Sequence, residues 1–275
     1  MWTPLLSLAL CATSALASNP KRGLISDVNA GTYKRDSNQL TKGSEVSWYY
    51  SFGQYPDSKF SSRYQFTMQQ FGIDTTADSS GNNFKNLETL MGEVDKTRPK
   101  HLMTFLEPAI SGISVPDAVA AWKKYIIPIR QKYPKMTVGS PSVINGDASL
   151  PWINEFIKTC PECKFDFVDV HYYWTYQEFK GEMRKWHKRF PKKPIWVSDL
   201  GFQDYNNPST QCKIGDKTCV PKIKAMITWM DKTPWIKRYT FRGEFRRDKS
   251  GQPLWSFLNN KGNFTPLGKW YLGIA

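Results

Sequence analysis

The sequence is poor in the residues and motifs that bind metals, nucleotides and flavins. It contains three histidines and five cysteines, and it has no glycine-rich phosphate loop. Outside the extreme N-terminus, no apolar run reaches the roughly 20 residues that a membrane-spanning helix needs. These absences give no reason to expect a metal ion or any other cofactor, and they exclude a protein that crosses a membrane several times.

Aromatic residues and positive charges are abundant. Hydrophobic residues make up 40% of the chain and aromatic residues 15%, which is enough for a large core and excludes a disordered chain. The formal net charge is +14. The densest basic run, residues 184–189, has helical spacing and no nucleic-acid motif around it, so we interpret it as a solvated helix face rather than a nucleic-acid site. A basic secreted chain is also expected to adhere to acidic wall or matrix polymers.

The first 17 residues have the pattern of a secretory signal peptide. An apolar stretch from Leu5 to Ala17 ends in a small-x-small cleavage pattern, although no lysine or arginine precedes it. A membrane anchor is the alternative, but the stretch is short and is interrupted by serine and threonine. The sequence therefore predicts a secreted protein, free outside the cell or held at the cell wall, whose mature chain comprises residues 18–275.

Four cysteines remain in the predicted mature chain: Cys160, Cys163, Cys212 and Cys219. In an oxidising compartment they predict two disulfides, with local pairing inside each close pair as the simplest arrangement. A structural zinc site is the alternative, which secretion and the wide spacing of the second pair disfavour. Asn263 begins the sequon Asn-Phe-Thr and is a candidate N-glycosylation site.

Apolar, β-branched and aromatic runs alternate with amphipathic segments along the chain. The strand candidates are residues 23–28, 45–52, 64–72, 101–107, 137–143, 165–173, 194–200 and 238–245. Helical patterns are found at residues 84–96, 116–133, 150–159, 176–190, 220–231 and 266–272. Residues 29–44 and 53–63 are polar and rich in glycine and serine, and no structure is assigned to them. The repeated alternation predicts an α/β fold, a single-domain (β/α)₈ TIM barrel.

Barrel enzymes carry their active sites at the rim where the strands end. Glu107 ends the fourth predicted strand and Asp199 ends the seventh, so two carboxylates are expected to face one cleft. Cleavage of a glycosidic bond needs such a pair, one to protonate the leaving oxygen and one to attack the sugar carbon or activate water. Aromatic side chains of the rim are the predicted substrate-binding residues: Trp48, Tyr50, Tyr173, Trp174 and Phe241.

His171 and Asp169 lie two residues apart on the sixth predicted strand and therefore point the same way. His171 is either a structural residue or a substrate-site residue that orients a carboxylate or a sugar hydroxyl. A carboxylate inside a barrel needs a partner, and Arg238 or Arg242 on the eighth strand could supply it. Asp169 is accordingly expected to be structural.

The chain resembles the catalytic domain of glycoside hydrolase family 128, a secreted, mainly fungal group of (β/α)₈ barrels active on β-1,3-glucan. The resemblance extends from about Lys21 to Leu272. It rests on the order and spacing of several stretches, residues 21–24, 48–53, 107–108, 122–128, 139–141, 160–167, 171–173 and 194–197. It implies that Glu107 is the acid/base and Asp199 the nucleophile. Both motifs are altered, because Leu106 stands where the family has asparagine and Asp199 where it has glutamate.

Two functions remain open. The first is a monomeric hydrolase of cell-wall β-glucan that uses Glu107 and Asp199. The second is a non-catalytic β-glucan-binding protein that keeps the aromatic residues and has lost turnover. Aspartate is shorter than glutamate by about 1.5 Å, the length of a carbon–carbon bond. A misplacement of about 1 Å in an active site can lower a rate on the order of 10²-fold, so the altered residues bear directly on the choice.

Overall fold

The computed structural model describes residues 19–26, 33–75, 86–201, 217–244 and 256–275. The predicted signal peptide and Cys212 lie outside these ranges. Within them, no helix is both long enough and apolar enough to cross a membrane.

The strands of the described residues form one closed, parallel barrel. They are β1 (Arg22–Ile25), β2 (Trp48–Tyr50), β3 (Gln65–Phe66), β4 (Met68–Gln69), β5 (His101–Met103), β6 (Thr137–Val138), β7 (Val143–Ile144), β8 (Val168–Tyr173), β9 (Ile195–Gly201) and β10 (Ile236–Thr240). β3 pairs with β2 while β4 pairs with β5, so these two short segments together form one barrel strand. In the same way, β6 pairs with β5 and β7 pairs with β8. β10 pairs with both β9 and β1, which closes the ring and confirms the predicted (β/α)₈ barrel.

Helices follow the strands, most of them within the predicted helical segments. They are α1 (Tyr33–Leu40), α2 (Ser58–Ser61), α3 (Leu87–Thr97), α4 (Pro108–Ser111), α5 (Val115–Ala121), α6 (Ile127–Lys132), α7 (Ser149–Thr159), α8 (Tyr176–Arg189), α9 (Cys219–Lys232) and α10 (Pro266–Leu272). α5 and α6 correspond to one predicted helix, which a π-helical turn, Trp122–Ile126, divides just before Pro128. Proline lacks the N–H that an α-helical hydrogen bond needs, so the regular ladder is interrupted there.

Two helices lie in segments to which the sequence assigned no structure. α1 occupies part of residues 29–44, and α2 lies within residues 53–63. Each buries one apolar anchor, Leu40 in α1 and Phe60 in α2, and the Asp57 side chain caps α2 by accepting a hydrogen bond from the Lys59 amide. Their sequences are otherwise polar, so tertiary packing rather than an apolar stripe accounts for these helices.

Aromatic residues fill much of the barrel interior. The inward-facing cluster consists of Ile25, Trp48, Tyr50, Met103, Phe167 and Trp196. The Arg238 guanidinium lies 5.2 Å from the Trp48 ring centre and 4.7 Å from that of Trp196. A Cβ atom on Gly23 would lie 2.3 Å from the Trp48 ring, so this strand position must be glycine for the indole to fit. The barrel interior is therefore packed with side chains rather than open.

The first predicted disulfide is confirmed. Cys160 and Cys163 are bonded, which ties the end of α7 to the turn that leads into β8. Cys219 is also disulfide-bonded. Its predicted partner, Cys212, lies outside the described residues. Asn263 is exposed in the turn before α10, and its glycosylation stays a prediction.

Candidate active site

Glu107 lies at a sharp turn between β5 and α4. Its backbone is left-handed, with φ 45° and ψ 49°, and Pro108 begins the helix directly after it. The amide of Leu106 donates to the carbonyl of Phe71 at 2.8 Å, which fixes the approach to the turn. A left-handed conformation is uncommon for a residue with a side chain, and such strain concentrates at functional sites.

The turn brings Glu107 against His171 of β8. His171 Nδ1 lies 2.6 Å from Glu107 Oε1, and the histidine side chain is completely buried while that of Glu107 is 16% exposed. Burial lowers the pKa of His171, but the hydrogen bond and negative charge of Glu107, with Asp169 and Asp199 nearby, outweigh it and raise that pKa to about 9. Burial raises the pKa of Glu107, but the bond to His171 and its charge bring it below the ordinary value. The two residues therefore form an ion pair at neutral pH.

Asp199 lies beside His171, because β8 and β9 align these two residues in register. Arg242 Nε lies 3.4 Å from Asp199 Oδ1, and the Asp199 side chain is only 5% exposed. The Tyr173 hydroxyl also bonds to Asp199; burial and this carboxylate raise the pKa of Tyr173 well above its ordinary value, so that it stays a neutral donor. Gly201 gives the Tyr173 ring room, since a Cβ atom there would lie 3.3 Å from it.

Two aromatic residues from the end of β2 complete this side of the site. Tyr50 is fully buried near Asp199, and its hydroxyl has no hydrogen-bond partner within the described ranges. Phe52 packs edge-on against Tyr50 at 5.1 Å, and the Arg242 guanidinium lies 6.0 Å from its ring centre. The Phe52 backbone is left-handed, with φ 57°. Sequence reasoning did not select Phe52, because nothing in the sequence signals that backbone conformation.

Asp169 has partners other than the arginines expected for it. Ser142 Oγ donates to one carboxylate oxygen at 2.6 Å and Ser198 Oγ donates to the other. Arg238 lies deeper in the barrel and binds Gln65 and Thr67 instead. Asp169 is completely buried, and burial raises its pKa. Asp169 lies next to His171 on the same face of β8 and is bound by two serines. It therefore has the structural role expected for it, with serines rather than arginines as its partners.

Three predicted substrate-binding residues lie away from the carboxylates. Trp48 is completely buried in the lower barrel, where its Nε1 donates to the Lys21 carbonyl. Phe241 is buried on the outer side of the barrel against Phe257, 6.2 Å between ring centres. Trp174 is half-buried, packs against the core and lines a separate cavity with Tyr172 and Glu178, which contains neither carboxylate. These positions correct the expectation that all three residues line the cleft.

The site therefore consists of two carboxylates, each opposed by a cation. His171 faces Glu107, and Arg242 faces Asp199. Tyr173 and Tyr50 supply hydroxyl groups close to Asp199. One half of this arrangement can hold and transfer a proton, and the other half holds a carboxylate in a fixed orientation, which are the two requirements of glycosidic cleavage.

Comparison with known proteins gives a family match over nearly the whole chain. A family model described as glycosyl hydrolase catalytic core matches residues 23–271. A curated relative, alkali-sensitive linkage protein 1 of Schizosaccharomyces pombe (strain 972 / ATCC 24843), is 26% identical over 219 residues. That alignment covers 74% of this chain and 35% of the relative, so the chain spans about a third of the length of the curated relative it matches.

Solved structures with the same fold include both hydrolases and binding proteins. An exo-β-1,3-glucanase of glycoside hydrolase family 128, subgroup VI, from Aureobasidium namibiae has a TM-score of 0.72 and 22% identity, covering 94% of this chain and 97% of its own. A subgroup VII oligosaccharide-binding protein from Trichoderma gamsii has a TM-score of 0.69 and 17% identity, covering 94% and 95%. At these identities the likeness establishes the barrel fold.

Proposed function

This chain belongs to the glycosyl hydrolase catalytic core family, and from that premise we propose that it hydrolyses β-1,3-glucan with Glu107 as acid/base and Asp199 as nucleophile or base. The observation that carries the proposal is the convergence of both carboxylates on His171, which bonds to one and lies in register beside the other. The mature protein acts outside the cell in this proposal, because residues 1–17 have the pattern of a signal peptide.

Protonation of the leaving oxygen is the task of the Glu107–His171 pair. At neutral pH the pair holds one proton on the imidazole, and the raised pKa of about 9 keeps it there. As the glycosidic carbon–oxygen bond breaks, the developing alkoxide accepts a proton from Glu107, which receives one from His171 across their 2.6 Å hydrogen bond. The new O–H bond releases the leaving sugar, and the pair is left with one proton fewer.

Asp199 acts on the opposite side of the sugar ring. Arg242 and Tyr173 hold its carboxylate in place, and it either attacks the anomeric carbon or removes a proton from an attacking water. Because aspartate reaches less far than the family's glutamate, room for a water is favoured. NMR of the fresh product distinguishes the two routes: inversion supports the water route, and retention supports direct attack.

Glucan binding without turnover is the second candidate, and two observations favour it. The lowered pKa of Glu107 leaves this carboxyl ionised at neutral pH, whereas a general acid must carry a proton. Leu106 also lacks the amide with which the family's asparagine contacts the sugar. The Trichoderma gamsii protein is described as oligosaccharide-binding, so the fold carries that function elsewhere.

The deciding experiment incubates the mature protein with β-1,3-glucan oligosaccharides and follows both binding and release of reducing ends. In a hydrolase, Glu107→Gln lowers turnover on the order of 10²-fold or more, in line with loss of general acid catalysis. Glu155→Gln, which changes an exposed glutamate of α7, is the matched control and leaves turnover unchanged.

Binding without any release of reducing ends would contradict the hydrolase proposal and support the second candidate. In that case Asp199→Glu combined with Leu106→Asn restores both family residues and tests whether cleavage returns. Absence of both binding and cleavage would contradict both candidates.

A further inference from the structure

A cavity lies at the end of the barrel opposite Glu107 and Asp199. Its volume is about 480 Å³, and it is formed where α3 and α6 end and β5 and β6 begin. Its apolar and aromatic lining consists of Val94, Pro99, Tyr133, Pro134 and Met136. Its cationic lining consists of Arg98, Lys100, Lys132 and Lys135. We call these nine residues the basic cavity.

Most of the positive charge in the basic cavity is not neutralised. Asp95 stands beside it and forms an ion pair with Lys132 at 2.8 Å. Arg98, Lys100 and Lys135 form no ion pair with any carboxylate of the described residues. Four cations and one carboxylate leave a local charge of +3 around a partly apolar cavity. A site of this kind attracts an anion that also has apolar surface.

The backbone holds one of these cations in an unusual conformation. Arg98 ends α3 with a left-handed backbone, φ 48° and ψ 53°, at a position where glycine is the common residue. Its Nε donates to the Asp95 carbonyl at 2.8 Å, and its guanidinium lies 4.7 Å from the Tyr133 ring centre. The buried Pro99 follows directly. The hydrogen bond and the ring contact thus hold the Arg98 guanidinium at the cavity wall.

We propose that the basic cavity binds a uronic-acid polysaccharide. A uronic acid combines a sugar ring that has apolar faces with a carboxylate. The apolar floor, including Val94, Pro99 and Met136, contacts the ring, while Lys100 and Lys135 bind carboxylates. A nucleic acid fits less well, because Tyr133 is the one aromatic residue of the lining and its ring already has Arg98 and Lys132 at 4.7 and 5.6 Å from its centre, where a stacked base would compete with them.

This site is independent of the proposed glucan activity. The lining residues precede β5 and β6, whereas Glu107 and Asp199 lie at the ends of strands on the opposite rim. A protein bound through the basic cavity therefore keeps its cleft open to a second, neutral polysaccharide.

The test compares two double variants with the same loss of charge. Lys100→Gln with Lys135→Gln removes two cations of the basic cavity. Arg184→Gln with Lys188→Gln, the matched control, removes two exposed cations from the densest basic run, on α8. Affinity for polygalacturonate is measured at low and high salt, with carboxyl-reduced polygalacturonate as the uncharged probe, and β-1,3-glucan binding is measured in parallel.

The cavity variant is expected to bind polygalacturonate about three- to tenfold more weakly, the effect of two exposed ion pairs. The control variant keeps its affinity within about twofold, and the uncharged probe does not bind. Equal losses in both variants would overturn the proposal in favour of general charge attraction. Stronger binding of single-stranded DNA than of polygalacturonate, or no binding of polygalacturonate at all, would also overturn it. Glucan binding should be unchanged in the cavity variant. The test of the basic cavity can therefore fail or succeed independently of the proposed glucan hydrolysis.

Discussion

The contact between His171 and Glu107 joins residues 64 positions apart into one proton-holding unit. The pKa of His171 is raised from 6.5 to about 9, so its contribution to folding is complete below about 6.5 and is lost as the pH rises through 9. The pKa of Glu107 is lowered from 4.5, so its contribution is present above that value and is lost as the pH falls. The pair therefore stabilises the fold most between about pH 4.5 and pH 6.5.

Replacing His171 with asparagine should lower stability in a pH-dependent way. We expect His171→Asn to reduce the free energy of unfolding by about 1–3 kcal/mol at pH 7, because Glu107 loses a charged partner. The reduction should shrink at pH 10, where the wild-type imidazole is itself neutral. Urea denaturation at both pH values measures this difference.

His101→Asn is the matched control. Burial, together with the charges of Arg238 and Lys100, lowers the pKa of His101 to about 3, so this histidine is neutral at both pH values. Its replacement should change stability by the same amount at pH 7 and pH 10. If His171→Asn lowers the free energy of unfolding equally at pH 7 and pH 10, the prediction is contradicted, because the His171 imidazole is then not held in its protonated form at pH 7.

At the scale of secondary-structure elements, the last helix packs closely against the segment that precedes it, and a glycine makes this possible. A Cβ atom on Gly268 of α10 would lie 2.1 Å from the carbonyl oxygen of Phe257. That contact involves backbone, which cannot rotate away as a side chain can. We expect Gly268→Ala to destabilise the protein by about 1–3 kcal/mol, the usual range for overpacking.

Gly92→Ala tests the same substitution where space is free. Gly92 lies in α3, and a Cβ atom there would meet nothing within 4 Å. Alanine favours a helix over glycine, so this variant should gain about 1 kcal/mol. Thermal or urea unfolding of the two variants measures both values, and a neutral Gly268→Ala would contradict close packing of α10.

Sequence periodicity predicted the elements well and the direction of individual side chains poorly. Long apolar runs correctly predicted β8 and β9, and amphipathic segments correctly predicted α7 and α8. Buried strands and helices with one apolar face have distinct sequence patterns. In a parallel barrel both faces of a strand are buried, so hydrophobicity cannot tell which residues point inwards. Phe241 was expected at the cleft for that reason, whereas Thr240 bonds to the Ser198 carbonyl and Phe241 packs outside.

The candidate site was predictable where it depended on strand ends. The fold brings Glu107, His171 and Tyr173 to one rim, as their places in the sequence predict. The left-handed turns at Glu107 and Phe52 were not predictable, because neither residue favours that conformation and only the surrounding packing enforces it.

At the scale of the whole molecule, stability depends on joining the first strand to the last elements of the chain. Arg22 of β1 forms an ion pair with Asp231 of α9 at 2.7 Å. It also donates to the Tyr271 carbonyl of α10 at 3.0 Å and to the Tyr239 hydroxyl of β10 at 3.2 Å. The Arg22 side chain is 9% exposed. One guanidinium therefore links β1, α9, β10 and α10 where the barrel closes.

Removing this guanidinium should weaken barrel closure as a whole. We expect Arg22→Met to reduce the free energy of unfolding by about 3 kcal/mol, because Asp231 keeps a partly buried charge without its ion-pair partner. Arg130→Met is the control: its pair with Asp166 is 26% and 36% exposed, and its loss should cost about 1 kcal/mol or less. Urea denaturation gives both values, and hydrogen exchange should show faster opening of β1 and β10 amides in Arg22→Met alone.

A second substitution separates the cost of an unpaired charge from the loss of packing. If the unpaired carboxylate causes the loss, Arg22→Met with Asp231→Leu should recover most of the stability, because an apolar pair can replace a buried ion pair at little cost. If the hydrogen bonds of Arg22 to Tyr271 and Tyr239 dominate instead, the double variant should remain as unstable as Arg22→Met. Equal stability of Arg22→Met and Arg130→Met would contradict the role of Arg22 in closure. Arg22 contacts four elements and is buried, whereas the Arg130–Asp166 pair is partly exposed, so loss of Arg22 must cost more.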